Sequence, residues 1–261
     1  MKENLKMRWT LKDKKALVTG ATRGIGKAIV EEFLELGAEV FIISRDQKDI
    51  DEQIESYNNA GFKVEGMKCD VTDSEDRKKL LEKINAGTGR LDILVNNAGT
   101  NTRKKTLENT EEDLDKLMDL NFKSGFELCK TFHPLLKKSD GGSIVNIVSV
   151  AGITSVGTGS PYAVSKAAMI HLTKYLSVEW AKDFIRINAI APWYIKTSLT
   201  EPVLNDQEKL KKILLRTPMN RIGEASEVAA VAAFLSMPAA SYVTGECIAV
   251  DGGFLKNGYR V

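Results

Sequence analysis

Seven short runs rich in apolar and β-branched residues, at 16–19, 40–43, 64–67, 93–95, 143–148, 185–190 and 247–250, alternate with longer stretches of helical spacing. Few architectures accept such a chain. Strands this apolar must be covered on both faces, and helices between successive strands provide the cover, so the expected fold is α/β: a doubly wound parallel sheet of about seven strands with helices on both faces. Ile25, Ala28, Ile29, Phe33 and Leu36 recur at helical spacing between the first two runs, and Gly37 stands where that helix should stop. Thr110, three residues before Asp113, resembles a capping box opening a helix with Leu114, Leu117 and Met118, which is expected to continue through Asn121. No internal repeat and no Pro/Gly/Ser-rich linker divides the chain, so residues 1–261 are expected to form a single domain. Residues 197–218 break the strand–helix rhythm. There the 208–216 segment combines Leu210, Ile213 and Leu214 with Lys209, Lys211 and Lys212, which suits a basic solvated face or a lid over a substrate pocket.

Composition excludes several classes of function. The 261 residues are 43% hydrophobic, enough for a sizeable core, and 37 Lys and Arg against 35 Asp and Glu leave a net charge of only +2. No field of one sign selects nucleic acid or an acidic membrane, so the expected partner is a small molecule. The apolar run 228–235 is far short of the ~18 residues a membrane span needs, and the polar stretch 1–8 has no signal-peptide core. A cytoplasmic location is expected. Cys69, Cys129 and Cys247 are odd in number and widely spaced, as reduced, buried thiols would be. With only His133 and His171, neither a histidine metal site nor a Ser-His-Asp hydrolase is expected, and no metal is assigned.

Thr19-Gly20-Ala21-Thr22-Arg23-Gly24-Ile25-Gly26 runs straight from the first strand into the first helix. Glycines here allow a sharp turn and a close approach of backbone to a pyrophosphate, while the helix start offers free N–H groups and the positive end of its dipole. A dinucleotide site is the functional reading, a merely structural turn the bland one. Three residues separate the first two glycines and one the next two, unlike G-x-G-x-x-G. After the second strand, where NAD enzymes place an acid for the adenosine ribose, this chain has Ser44-Arg45. Arg45 and Arg23 can pair with a 2′-phosphate, so NADP(H) is favoured over NAD(H), although Asp46 turned inward would reverse that choice.

Tyr162 and Lys166 are four residues apart in a good helix-forming stretch, hence about 40° apart on one helix face. His171 falls about 180° from Tyr162 and is not a candidate base. A cation about 4 Å from the phenol, at an effective dielectric of about 20, favours phenolate by roughly 4 kcal/mol before desolvation. Lys166 is therefore expected to pull Tyr162 down into acid–base range. Ser149 follows the fifth run by one residue, at the carboxyl end where such sheets bind ligands. Its hydroxyl can donate to a carbonyl oxygen while Tyr162 delivers the proton.

Together these residues resemble the short-chain dehydrogenase/reductases over residues 11–258. The glycine turn matches T-G-x-x-x-G-x-G, Asn96-Asn97-Ala98-Gly99 the N-N-A-G segment, and Ser149, Tyr162 and Lys166 the catalytic set at its usual spacing. Within the family the likeness is to tropinone reductases and tropinone reductase-like proteins, through Val64-Glu65-Gly66, Leu135-Leu136-Lys137, Glu179-Trp180-Ala181-Lys182-Asp183 and Pro238-Ala239-Ala240-Ser241-Tyr242. The resemblance implies a Rossmann-type fold and hydride transfer between nicotinamide and a carbonyl or alcohol carbon. It implies that Ser149 polarises the carbonyl, that Tyr162 protonates the alkoxide, and that Lys166 also binds the nicotinamide ribose. Asn121 stands where the family kinks a helix and holds a relay water. Asp70 and Val71 would meet adenine, Asp70 having a loop-capping role as its alternative; Asn97, Ala98 and Gly99 would lie beside adenosine and ribose. Ile195 and Thr197, following Pro192, would contact the carboxamide. The family's common Pro-Gly is here Pro192-Trp193, so Trp193 either walls the substrate pocket beside Tyr194 or packs as an ordinary core residue. Association into a homotetramer through the Asn121 and Tyr162 helices is a further expectation.

The leading expectation is an NADPH-dependent reductase of a small lipophilic or cyclic ketone. Related catalytic sets also serve 3-oxoacyl-carrier-protein reduction and sugar-acid oxidation, and the fold can support a non-catalytic NADP-sensing scaffold. The complete Ser149, Tyr162 and Lys166 set argues against the last.

Overall fold

The computed structural model describes residues 7–258. The ends of the expected 1–261 domain and most of the polar 1–8 stretch lie outside the described residues. All seven predicted strands form: β1 (Lys15–Thr19), β2 (Glu39–Ser44), β3 (Val64–Lys68), β4 (Ile93–Asn96), β5 (Gly142–Ile147), β6 (Ile185–Pro192) and β7 (Cys247–Val250). They make one parallel sheet in the order β3-β2-β1-β4-β5-β6-β7. The order reverses between β1 and β4, and the carboxyl ends of those two strands frame the crevice in which such sheets bind ligands.

Strand alternation decides which helix each residue meets. Ala16, Val18, Val40, Ile42, Ile93 and Val95 face one side, with α1 (Gly24–Glu35), α2 (Gln47–Asn59) and α9 (Ala225–Ser236). Leu17, Ile43, Leu94, Ile144 and Ile187 face the other, with α3 (Ser74–Thr88), α5 (Ser124–Leu136) and α6 (Ser160–Glu179). Phe33 of α1 and Phe132 of α5 are fully buried, one in each layer. Truncating either to Ala removes about 3–5 kcal/mol of stability.

Local chemistry sets the boundaries. Helix α1 stops before Gly37, whose φ of 91° suits glycine. Thr110 and Asp113 form the expected reciprocal cap of α4 (Glu111–Met118). A plain helix through Asn121 does not form: Asp119–Lys123 is a π-helical turn joining α4 to α5, and the extra residue per turn carries Asn121 into the protein. Residues 197–218 contain the short α7 (Glu201–Leu204) and α8 (Gln207–Arg216). Ile213 of α8 is buried, whereas Lys209, Lys211 and Lys212 are exposed. The three cysteines are free thiols; Cys69 and Cys129 are buried and Cys247 is half-buried. No helix among the described residues is long and apolar enough to cross a membrane.

Candidate active site

A cleft of about 810 Å³ runs along the carboxyl ends of the strands. It is lined by Gly20, Thr22, Arg23, Gly24, Ile25, Ser44, Arg45, Asp70, Val71, Asn97, Ala98, Gly99, Pro192, Ile195 and Thr197, and also by Ser149, Tyr162, Lys166 and Trp193. Two expected site residues stand behind its wall. Gly26 does not line the cleft: a Cβ there would lie 2.1 Å from the Gly20 carbonyl oxygen and 2.5 Å from Asn97 Nδ2. It is the close contact between α1 and the turn that requires glycine. Asn121 is buried beneath the floor; its Oδ1 accepts from the Thr100 N–H at 2.9 Å and its Nδ2 donates to the Thr100 carbonyl at 3.0 Å. Its side chain thereby positions the loop after β4.

The turn itself is main chain held open. Gly20 and Gly24 have φ of 60° and 56°, the left-handed region that favours glycine. The Thr19 hydroxyl accepts from the amides of Asn97 and Ala98, each at 2.9 Å, and the Asn97 amide group donates to the Thr19 and Gly20 carbonyls. Asn97 is therefore a clasp between β4 and the turn as well as a lining residue. Arg23 precedes α1 without a side-chain cap, and no acid stands in the first turn, so an anion meets free amides there. These features fit a dinucleotide's pyrophosphate.

At the end of β2, Thr22 Oγ1 donates to Ser44 Oγ at 3.2 Å, with Arg45 beside them on the cleft wall. Asp46 caps α2, its carboxylate accepting from the amides of Lys48 and Asp49. Asp70 performs the loop-capping role and lines the cleft together: its Oδ1 accepts from the Thr72 amide and hydroxyl. Burial opposes its ionisation, but those bonds, Arg45 and Arg77 outweigh it and hold the carboxyl below the usual range.

The far end carries the reactive side chains. Ser149 Oγ accepts from the Ala151 amide at 3.1 Å, which fixes it just beyond β5. Tyr162 and Lys166 share a face of α6, the Lys166 Nζ lying 5.8 Å from the centre of the phenol ring. Lys166 is 5% exposed and donates to the Ile147 carbonyl at 2.9 Å. Burial lowers its pKa to about 8. Tyr162 departs from expectation: burial pushes its phenol up, and the partial offsets come from a Ser149 hydrogen bond and the Arg103 charge, not from Lys166. Desolvation wins because the ammonium is aimed at the Ile147 carbonyl and its own charge is destabilised by the same burial. Gly99 makes room for this group, since a Cβ there would lie 2.9 Å from Asn121 Oδ1 and 3.4 Å from Lys166 Nζ.

Trp193 both packs and lines the cleft. One face stacks on Phe254 at 3.8 Å between ring centres, Tyr194 meets it edge-on at 4.6 Å, and its Nε1 donates to Thr217 Oγ1 at 3.1 Å. Its backbone is not left-handed, so replacing the family's usual glycine creates no strain there. From residues 197–218 only Thr197, Ser198, Leu199 and Thr200 reach the cleft. Thr197 Cγ2 would stand 3.3 Å from a Cβ on Gly24, which brings this segment over the glycine turn. Thr100, which lines the cleft, escaped the sequence reading because it sits on a loop whose spacing carries no periodic signal, and Leu199 was covered only within the 197–218 segment.

The parallel sheet with its strand-end cleft defines the class as Rossmann-type enzymes. A family model described as enoyl-(acyl carrier protein) reductase matches residues 20–255. A tropinone reductase homolog from Arabidopsis thaliana is 47% identical over 253 residues, covering 97% of this chain and 96% of the relative. One from Datura stramonium is 46% identical, covering 97% and 96%. Among solved structures, a gluconate 5-dehydrogenase from Burkholderia cenocepacia in complex with NADP and tartrate superposes with a TM-score of 0.93 at 30% identity, covering 97% of this chain and 99% of its own. The chain belongs to the short-chain dehydrogenase/reductase family, and it is an oxidoreductase of that family similar to the tropinone reductase homologs.

Proposed function

We propose that the protein is a single-domain, NADP(H)-dependent enzyme interconverting a small lipophilic or cyclic ketone and its secondary alcohol. The observation that carries this reading is the convergence of Ser149, Tyr162 and Lys166 at the end of one dinucleotide-sized cleft. Arg23 and Arg45 at the other end support the phosphorylated cofactor, while Asp46 lines the same wall with its carboxylate held by the amides of its own helix. Gly20, Gly24 and Gly99 would hold the dinucleotide by backbone approach, Asp70 and Val71 its adenine, and Pro192, Ile195 and Thr197 its carboxamide. When bound, the nicotinamide supplies or accepts the hydride.

In the reducing direction Ser149 donates a hydrogen bond to the carbonyl oxygen and Tyr162 gives its proton to the oxygen as negative charge develops. The raised phenol pKa keeps that proton in place until the alkoxide forms. Lys166 positions the nicotinamide ribose and shares its proton with the same chain of groups. A cavity of about 10 Å³ beside Asn121, Ile147 and Lys166 has room for about one water, which supports a proton path from Lys166 toward solvent. Trp193 supplies an apolar wall, and residues 197–200 act as the inner edge of a lid. Val164, Tyr175 and Val178 leave an exposed apolar stripe on α6, which supports association of copies through that helix.

The test is consumption of NADPH and NADH with bicyclic ketones, terpenoid ketones, a 3-oxoacyl thioester and sugar acids. Turnover of a ketone, with Arg45→Ala raising the KM for NADPH about tenfold or more and leaving that for NADH nearly unchanged, is expected. Tight nucleotide binding with no turnover of any member overturns the enzymatic reading.

A further inference from the structure

Trp193 follows the last residue of β6, and its amide donates to the Val250 carbonyl of β7 at 3.1 Å. The sheet thus fixes the backbone, and the freedom left to this residue is its side-chain rotamer. Two contacts hold the indole from outside the cleft. Its Nε1 donates to Thr217 Oγ1 at 3.1 Å, and one face stacks on Phe254 at 3.8 Å between ring centres with the planes 10° apart. Thr217 and Phe254 are 1% and 8% exposed, and neither lines the cleft.

Both contacts are themselves held. The Thr217 hydroxyl donates its one proton to the Ile213 carbonyl in the last turn of α8, at 2.7 Å, so toward the indole it accepts. An indole N–H only donates, and the pair therefore has one working geometry. Phe254 sits in the turn after β7, which the Asp251 carboxylate closes by accepting from the amides of Gly253 and Leu255. That turn is bound to the end of α8. The Met219 amide donates to the Gly252 carbonyl at 3.1 Å, and Asn257 Nδ2 donates to the Arg216 carbonyl at 3.0 Å. Gly252 lets the two segments meet, since a Cβ there would lie 2.9 Å from Thr217 Cγ2. Phe254 also packs in one cluster with Val148 and Val150, the chain neighbours of Ser149. The wall, its backing and the strand end that carries Ser149 are thus one packed body.

We propose that Thr217 and Phe254 are positioning residues for substrate size: they lock the Trp193 indole in one rotamer, and the locked wall restricts the enzyme to compact ketones. This rests on the ketone–alcohol reading above and narrows it. A ketone with bulk on its ring enters only if the indole swings aside, which breaks the bond to Thr217 and uncovers the Phe254 ring together. Both residues act through Trp193 and stand behind the cleft wall. Loosening the lock therefore changes which ketones fit, and leaves the cofactor end and the proton transfer as they are.

The test compares cyclohexanone with 4-tert-butylcyclohexanone, which share a carbonyl and differ in bulk, in the wild type, Thr217→Val, Thr217→Ser and Phe254→Leu. Thr217→Val keeps the shape and removes the acceptor. It should raise kcat/KM for the bulky ketone relative to the small one about fivefold, mainly through KM, with the Kd for NADPH within about twofold of wild type. Thr217→Ser should return the ratio to within about twofold of wild type. Phe254→Leu should shift it in the same direction as Thr217→Val, and carries the test if that variant does not fold. In a Trp193→Phe background, which has no N–H to place, Thr217→Val should change the ratio no further. An unchanged ratio in both Thr217→Val and Phe254→Leu, or an equal shift by Thr217→Val in the Trp193→Phe background, overturns the lock. Fluorescence anisotropy separates the lock from the ketone reading. The chain has three tryptophans, so with Trp9→Phe and Trp180→Phe in place the signal is that of Trp193, and it should fall in Thr217→Val and recover in Thr217→Ser. That result with neither ketone reduced supports the lock and counts against the ketone reading; an anisotropy that Thr217→Val leaves unchanged counts against the lock.

Discussion

At the β1 end of the cleft the glycine turn presents main chain, and at the Trp193 end the wall is an aromatic side chain. Around Gly20, Gly24 and Gly26 the decisive contacts are backbone approaches that a single Cβ would block, closed by the Thr19 hydroxyl and the Asn97 amide. Around Trp193 the surface is an aromatic face, carried on a loop and anchored by its hydrogen bond to Thr217. The first construction tolerates almost no substitution and suits a ligand that never changes. The second can be revised one side chain at a time, which suits a family whose members act on different substrates.

Substitutions should separate the two ends, and the reacting group between them gives the largest effect. Tyr162→Phe keeps the ring and removes the transferable proton; kcat should fall about a thousandfold or more, with the Kd for NADPH within about twofold of wild type. Gly26→Val strikes the backbone-built end. Its side chain has nowhere to go against the Gly20 carbonyl, so the protein should lose about 3 kcal/mol or fail to accumulate, and any folded fraction should bind NADPH poorly. A well-folded variant with normal affinity would mean that the turn relaxes freely. Trp193→Gly strikes the side-chain end. Nucleotide affinity should hold while relative kcat/KM among ketones of different bulk shifts by about tenfold; unchanged ratios would remove Trp193 from the pocket wall.

The smallest effect concerns stability. Burial lowers Lys166 from its ordinary 10.5 to about 8, so across that window the unfolded chain binds more protons than the folded one. This group's contribution to stability therefore rises with pH between about 8 and 10.5, and at pH 7 it is at its least favourable. Lys166→Met should stabilise the nucleotide-free protein at pH 7 by about 2 kcal/mol after the lost bond to the Ile147 carbonyl, with the gap closing toward pH 10. Activity should fall sharply in the same variant. A stabilised but inactive protein would show burial of that ammonium to be functional strain.

The same division governs what the sequence discloses. The strands at 16–19 and 40–43 were legible because β-branched runs bounded by helical spacing leave few alternatives, and the glycine turn because close backbone approach demands glycine at fixed offsets. Tyr162 and Lys166 were legible because α-helical geometry places positions four apart on one face. The π turn at Asn121 was not legible in periodicity, since one extra residue in a helix changes no local preference in Asp119–Lys123, and only the family resemblance pointed to a kink there. Gly26 was placed in the right turn with the wrong duty, because spacing cannot distinguish contact with a ligand from contact with the Gly20 carbonyl. The upward direction of the Tyr162 shift was not legible either. It depended on how burial divides between two charges, which only packing determines.

The central claim is direct hydride transfer at the Ser149–Tyr162 end of the cleft, and isotope transfer tests it without reference to any substitution. NADPH stereospecifically deuterated at nicotinamide C4 is incubated with the wild-type enzyme and a ketone that it turns over, and the alcohol is analysed by mass spectrometry and NMR. The account predicts one deuterium on the carbinol carbon from one face of the nicotinamide and none from the other. An unlabelled alcohol from both cofactors, or label elsewhere in the product, would contradict it.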